Sequence, residues 1–190
     1  MKIIGIVKGI VLSLFLCFLV PGIASAQATK GQYVADFGAA YAKALDSEAK
    51  SGFVGVDLFA GKMITNNICL GLGGGADIIS YEKVGDLHSR LTVIPLIVKA
   101  KYYMNLGAML QAYVSAGAGA YIVSPHLNEP IGDIKAYSMN QPGAAVGIGI
   151  DYWFLLLQGV GFSVEYHMFN TDYDPFSYFV ARVEYCLIKL

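Results

Sequence analysis

Apolar residues recur at every second position in eight segments of the chain: 33–41, 54–60, 70–78, 94–102, 110–122, 144–152, 160–168 and 179–187. A period of two belongs to an extended strand, whose side chains alternate between faces. One face of every segment is free of charge; in the fourth it is Ile94, Leu96, Val98, Ala100 and Tyr102. The opposite parity holds Asp36, Asp57, Asp77, Lys99, Lys101, Asp151, Glu165, Arg182 and Glu184, together with glycines such as Gly71, Gly73, Gly117 and Gly147. Lys99 with Lys101, and Arg182 with Glu184, lie two residues apart, a spacing that shares a face in a strand and not in a helix.

The connections alternate as well. Those near 62–67, 104–109 and 155–159 are short, whereas those near 43–52, 82–90, 124–141 and 170–177 are mostly longer and more polar. Short turns on one side and long loops on the other are the rhythm of a transmembrane barrel with its amino terminus on the periplasmic side. The pattern predicts an all-β fold, a single eight-stranded antiparallel up-and-down transmembrane β-barrel. Its charge-free face meets lipid, and the nine charged residues line the lumen. Inside, Lys99, Lys101 and Arg182 are expected to neutralise acids such as Glu165, Glu184 and Asp151, because buried charges need partners. Tyr33, Tyr102, Tyr152 and Tyr185 fall near the periplasmic strand ends and form an aromatic girdle. Leu155-Leu156-Leu157 is a poor polar turn, so the boundary between the sixth and seventh strands is not fixed by the pattern.

Composition explains why the charge-free face belongs in lipid. The chain is 56% hydrophobic and 14% charged, against roughly 25% charged in a soluble domain. After residue 26, however, no apolar run reaches the roughly 18 residues of a membrane helix. A greasy chain without such helices spans a bilayer only as a closed barrel, which pairs its own backbone groups. Upstream, Lys2 and Lys8 precede an apolar stretch over 10–20, then Pro21-Gly22 and Ala24-Ser25-Ala26. That is the layout of a cleavable secretory signal peptide over 1–26, leaving 27–190 as the barrel domain. The mature chain then holds 11 basic and 14 acidic residues, a net charge of −3. With no basic cluster or arm, nucleic acid is not expected as a partner.

Candidate chemistry is sparse. The "GLGGG" run at 71–75 lacks the Gly-Lys-Ser/Thr ending of a phosphate loop and sits within a strand pattern. His88 and His126 fall in expected outer loops and His167 on the lumen face, too scattered for a metal site. Asp172 and Asp174 in "NTDYDP" read as a solvated loop. A hydrolase needs a hydroxyl beside a histidine and an acidic orienter, which neither His88-Ser89 nor "PHLNEP" at 125–130 supplies. No catalytic residue, metal or cofactor is therefore expected, and the protein is not expected to be an enzyme. Cys69 and Cys186 share the lumen parity on strands that are not neighbours; two free thiols are favoured over a bridge across the lumen.

"IPLIVKAKYYM", "AYVSAGAGAYIV", "AAVGIGIDYWF" and "GFSVEYHMF" together resemble the small outer-membrane β-barrel family, which includes the outer membrane protein W type, the opacity type and barrels labelled only as porin family. The resemblance spans nearly all of the mature chain and departs at its end, on Leu190 where such barrels close on an aromatic. It implies an eight-stranded barrel in the cell outer membrane, delivered by the outer-membrane assembly machinery. Two functions follow as expectations. One is a narrow passive channel for small or hydrophobic compounds; the other is a structural or surface-interaction barrel whose outer loops bind partners.

Overall fold

The computed structural model describes residues 28–45, 51–52, 54–80, 88–129, 132–135, 139–171 and 175–189. The expected signal peptide, Asp172, Asp174 and Leu190 lie outside the described residues. Eight long strands form the wall: β1 (Tyr33–Ala44), β2 (Val54–Met63), β3 (Ile68–Ser80), β4 (His88–Asn105), β5 (Leu110–Glu129), β6 (Met139–Leu155), β7 (Gln158–Asn170) and β8 (Pro175–Lys189). Each pairs antiparallel with its chain neighbours, and β1 pairs with β8 to close the cylinder. Two short segments, Ser51–Gly52 and Gly132–Lys135, extend the wall beside β3 and β5.

Register fixes the diameter. Pairing leads from Val34 through Gly61, Gly71, Lys99, Gly117, Ala145, His167 and Tyr178 back to Ala44, ten residues along the strand where the walk began. Eight strands with that stagger tilt by about 40° and leave a backbone cylinder of about 8 Å radius. Side chains from opposite walls meet in so narrow a tube.

Every described position of the charge-free face is exposed or half-exposed, whereas the opposite parity is largely buried. Leu72, Ile148, Val183, Leu58 and Val56 stand out from the wall at 61–68% exposure. A continuous apolar band of this kind suits lipid and not water. Tyr33 and Tyr102 stand at the end of the short turns as expected, with Tyr152 and Tyr185 half-buried beside them.

Two expectations about the connections change. The uncertain boundary resolves into a two-residue turn at Leu156-Leu157, preceded by an irregularity in the β6–β7 register between Trp153 and Leu155. The segments 82–90 and 124–141 are not loops throughout. β4 begins at His88 and β5 continues to Glu129, so His88 and His126 lie on strands, with His88 opposite Asn128 and His126 opposite Arg90. The cause is backbone pairing. Once β4 and β5 are in register, their ladder continues past the lipid band, since polar side chains do not interrupt it. A spanning strand needs about 9–11 residues, so these strands, 18 and 20 residues long, project well beyond it.

Placing a charge on the band tests it. Val98→Arg and Ile148→Arg are each expected to cost about 2–4 kcal/mol near the midplane, while Leu106→Arg in a short turn is tolerated. Heat-modifiable gel mobility of outer-membrane fractions reads the folded share; equal tolerance at all three sites contradicts the lipid-facing assignment.

Candidate functional site: the charged lumen

All nine charged residues of the inner parity are buried: Asp36, Asp57, Asp77, Lys99, Lys101, Asp151, Glu165, Arg182 and Glu184. Strand pleat places them there, because each shares its parity with the glycines and small residues of the inner wall. Their partners come from strands far apart in sequence.

Glu165 on β7 is the hub. Lys99 on β4 donates to both of its oxygens, at 2.7 and 3.0 Å. The Arg182 Nη1 lies 2.7 Å from its Oε2, and the His167 Nε2 lies 3.2 Å from the same oxygen. Ser115 donates to its Oε1 at 3.3 Å. Arg182 also reaches the Asp57 Oδ2 with its Nε at 3.1 Å, so one guanidinium bridges β2 and β7. The Nε and Nη1 contacts are ion pairs off the hydrogen-bond line. Gly147, facing Glu165 across the β6–β7 ladder, leaves room for this side chain; a Cβ there would collide with the Glu165 Cγ.

Lys101 pairs with a different acid from those expected. It donates to the Asp36 Oδ2 at 2.7 Å and lies over the rings of Tyr113 and Phe59, at 4.3 and 4.5 Å. Glu184 and Asp151, expected among the neutralised acids, make no ion pair among the described residues. Glu184 accepts from the Tyr113 and Ser163 hydroxyls, both at 3.3 Å. Asp151 accepts a weak bond from the Cys186 thiol at 3.8 Å, and Asp77 accepts from the Tyr178 hydroxyl at 3.0 Å. The reason is reach. Three cations serve six acids: Lys99 and Arg182 meet at Glu165, Arg182 also reaches Asp57 and Lys101 takes Asp36, which leaves Glu184 and Asp77 to hydroxyl donors and Asp151 to a thiol.

Aromatic side chains fill the space around this belt. At the short-turn end, Phe59, Met63, Tyr103, Tyr113, Trp153 and Ile188 pack together with Ala28, and the Trp153 Nε1 donates to Gln111 at 2.9 Å. Toward the opposite end, Tyr121, Phe169, Tyr178, Ile79 and Val93 form a second cluster, where Tyr178 stacks on His167 at 4.9 Å and Tyr121 on Phe169 at 5.2 Å. The charges thus lie between two apolar stoppers. Sequence reading had assigned the inner face its charges and glycines and missed these aromatics, although parity marks them: Tyr103 follows Lys101 by two residues, and Tyr113 precedes Ser115 by two. Cys69 and Cys186 are both buried and free. No group of three or more potential metal ligands occurs among the described residues.

The hub sets an energetic expectation. Arg182→Met strands Asp57 and Glu165 without their shared cation, and removing one partner of a buried pair costs about 3–5 kcal/mol. Lys101→Met with Asp36→Leu removes both partners and is expected to cost less than the sum of the single changes. Urea unfolding in detergent or lipid measures each; a cycle with no coupling rules the pair out.

The comparisons agree with this geometry. No curated protein matches the chain in sequence. Among solved structures, Neisserial surface protein A superposes with a TM-score of 0.63 at 17% identity, covering 85% of this chain and 99% of that one. The outer membrane protein OprG of Pseudomonas aeruginosa gives 0.60 at 12% identity, over 87% and 99%. Ail, the attachment invasion locus protein of Yersinia pestis, gives 0.54 at 15% identity, over 84% and 100%. At such identities the likeness is one of fold. The model of the outer membrane protein beta-barrel domain, however, matches residues 10–185, and with the closed eight-stranded wall it makes this chain a member of that family, a barrel of the cell outer membrane.

Proposed function

We propose that the protein is a sealed outer-membrane barrel that acts through its surfaces, as a structural or surface-interaction barrel without enzymatic activity. The observation that carries this reading is the filled lumen. Lys99, Lys101 and Arg182 are locked in ion pairs, and aromatic clusters close off both ends of the charged belt. A tube of about 8 Å backbone radius holds little else. The length of β4 and β5 supports the same reading, because their paired segments beyond the lipid band form an extended surface feature. That feature includes the segment Gly132–Lys135 paired with β5. Ail, named for attachment and invasion, is built on the same architecture.

One observation favours the alternative, a narrow passive channel for small solutes. Asp77, Asp151 and Glu184 make no ion pair among the described residues, and carboxylates that hold no fixed cation attract small mobile ones. Apolar compounds, in that reading, leave sideways through the wall.

Planar-bilayer conductance of the refolded protein separates the two. A sealed barrel gives a conductance near the baseline of protein-free membranes, and liposome swelling with disaccharides stays near that of empty vesicles. Stepwise, cation-selective conductance that falls in Glu184→Gln supports the channel instead. Swelling at the rate of a general porin overturns the filled lumen itself.

A further inference from the structure

A valley crosses the outer wall at the short-turn end, over β1, β2, β3 and β8. One ladder row runs Leu187, Ala35, Ala60, Leu72, so two alanines lie between two leucines. The row above, toward the membrane centre, begins with the bulkier Tyr185, Phe37 and Leu58; Phe37 and Tyr185 are 5.3 Å apart, ring to ring. In the row below, Tyr33, Lys62 and Leu70 form the mouth. The open groove so formed has a volume of about 520 Å³.

The mouth differs chemically from the floor. The Lys62 ammonium lies 5.2 Å from the centre of the Tyr33 ring and makes no ion pair among the described residues. Lys189 occupies the ladder position on the other side of Tyr33, and Lys30 is exposed three residues before it. Two lysine positions flank an interfacial tyrosine, with a third nearby, at the height where the headgroups of the periplasmic leaflet begin. The apolar floor fits the glycerol backbone and the first part of one acyl chain, and the cationic mouth fits a phosphodiester. A second copy of the barrel is a poorer occupant, because a two-fold contact here brings like-charged mouths together.

We propose that this valley is a binding site for an anionic glycerophospholipid of the periplasmic leaflet. One acyl chain starts between Ala35, Ala60 and the flanking leucines, and the phosphate lies against Lys62. The inference is independent of whether the lumen conducts.

Native mass spectrometry of the full-length folded barrel, released from nanodiscs of phosphatidylglycerol or of phosphatidylcholine, tests it. The wild type is expected to retain one phosphatidylglycerol in preference to phosphatidylcholine. Lys62→Gln weakens that retention about fivefold, the effect of one interfacial lysine, and leaves phosphatidylcholine unchanged. Ala60→Leu fills the valley with a lipid-compatible side chain and abolishes retention of both lipids. Heat-modifiable mobility checks that each variant is folded, and Ala60→Val replaces Ala60→Leu if the larger residue prevents insertion. Equal retention of the two lipids by the wild type overturns the proposal, as does retention indifferent to the valley-filling change. A dimer mass lost on filling the valley overturns it in favour of a second copy.

Discussion

The narrowness of the cylinder is the constraint from which the rest of the molecule follows. Eight strands with a ten-residue stagger bring opposite walls close enough for their side chains to touch, so water does not solvate what points inward. A charge there is tolerated only if another side chain compensates it. The wall itself has no alternative geometry. In a bilayer each backbone donor and acceptor needs a partner in the sheet, and closure of β1 on β8 supplies the last of them. The chain therefore solves two satisfaction problems at once, one in the backbone and one in the lumen.

The lumen solution is asymmetric. Glu165 collects Lys99, Arg182, His167 and Ser115, while Glu184 and Asp77 rely on hydroxyl donors. Concentrating both cations on one acid joins β2, β4 and β7 through side chains, at strands the backbone ladder leaves unpaired. Buried ion pairs add little net stability against an apolar filling. What they do add is a heavy penalty for any register in which the partners miss one another. A slip of one residue on β7 sends Glu165 into lipid and exposes Arg182 to an empty site. The network is in that sense a check on register. The glycines beneath it, Gly147 under Glu165 and Gly149 under Tyr113, are the space it requires.

How much of this was legible in the sequence divides along a physical line. The period of two is local, so the eight strands, the lipid face and the burial of all nine charged residues could be read from parity alone. Partnership inside the lumen is not local. Lys101 finds Asp36 across 65 positions of sequence, and nothing in either segment announces the other; only the stagger of the closed barrel sets them at the same height. The projection of β4 and β5 was missed for a related reason. Polar composition suggests a loop, yet a ladder already in register continues through polar residues as readily as apolar ones. The aromatics of the lumen were the avoidable omission, since Tyr103, Tyr113 and Tyr121 sit on the same parity as the lysines and glycines around them.

The two faces of the wall also constrain each other. Small residues on the inner face make room for large side chains that reach across the lumen, and small residues on the outer face leave hollows that lipid must fill. At β1 and β2 both occur together. Ala35 and Ala60 thin the outer wall where, one step along the strands, Asp36 and Phe59 face inward beside Lys101. An alanine outside therefore carries a specific consequence: the membrane comes close to the backbone beside a charged pair of the interior. Lipid packing in that valley and the Lys101–Asp36 pair have β1 in common, with Lys101 reaching Asp36 across the lumen from β4.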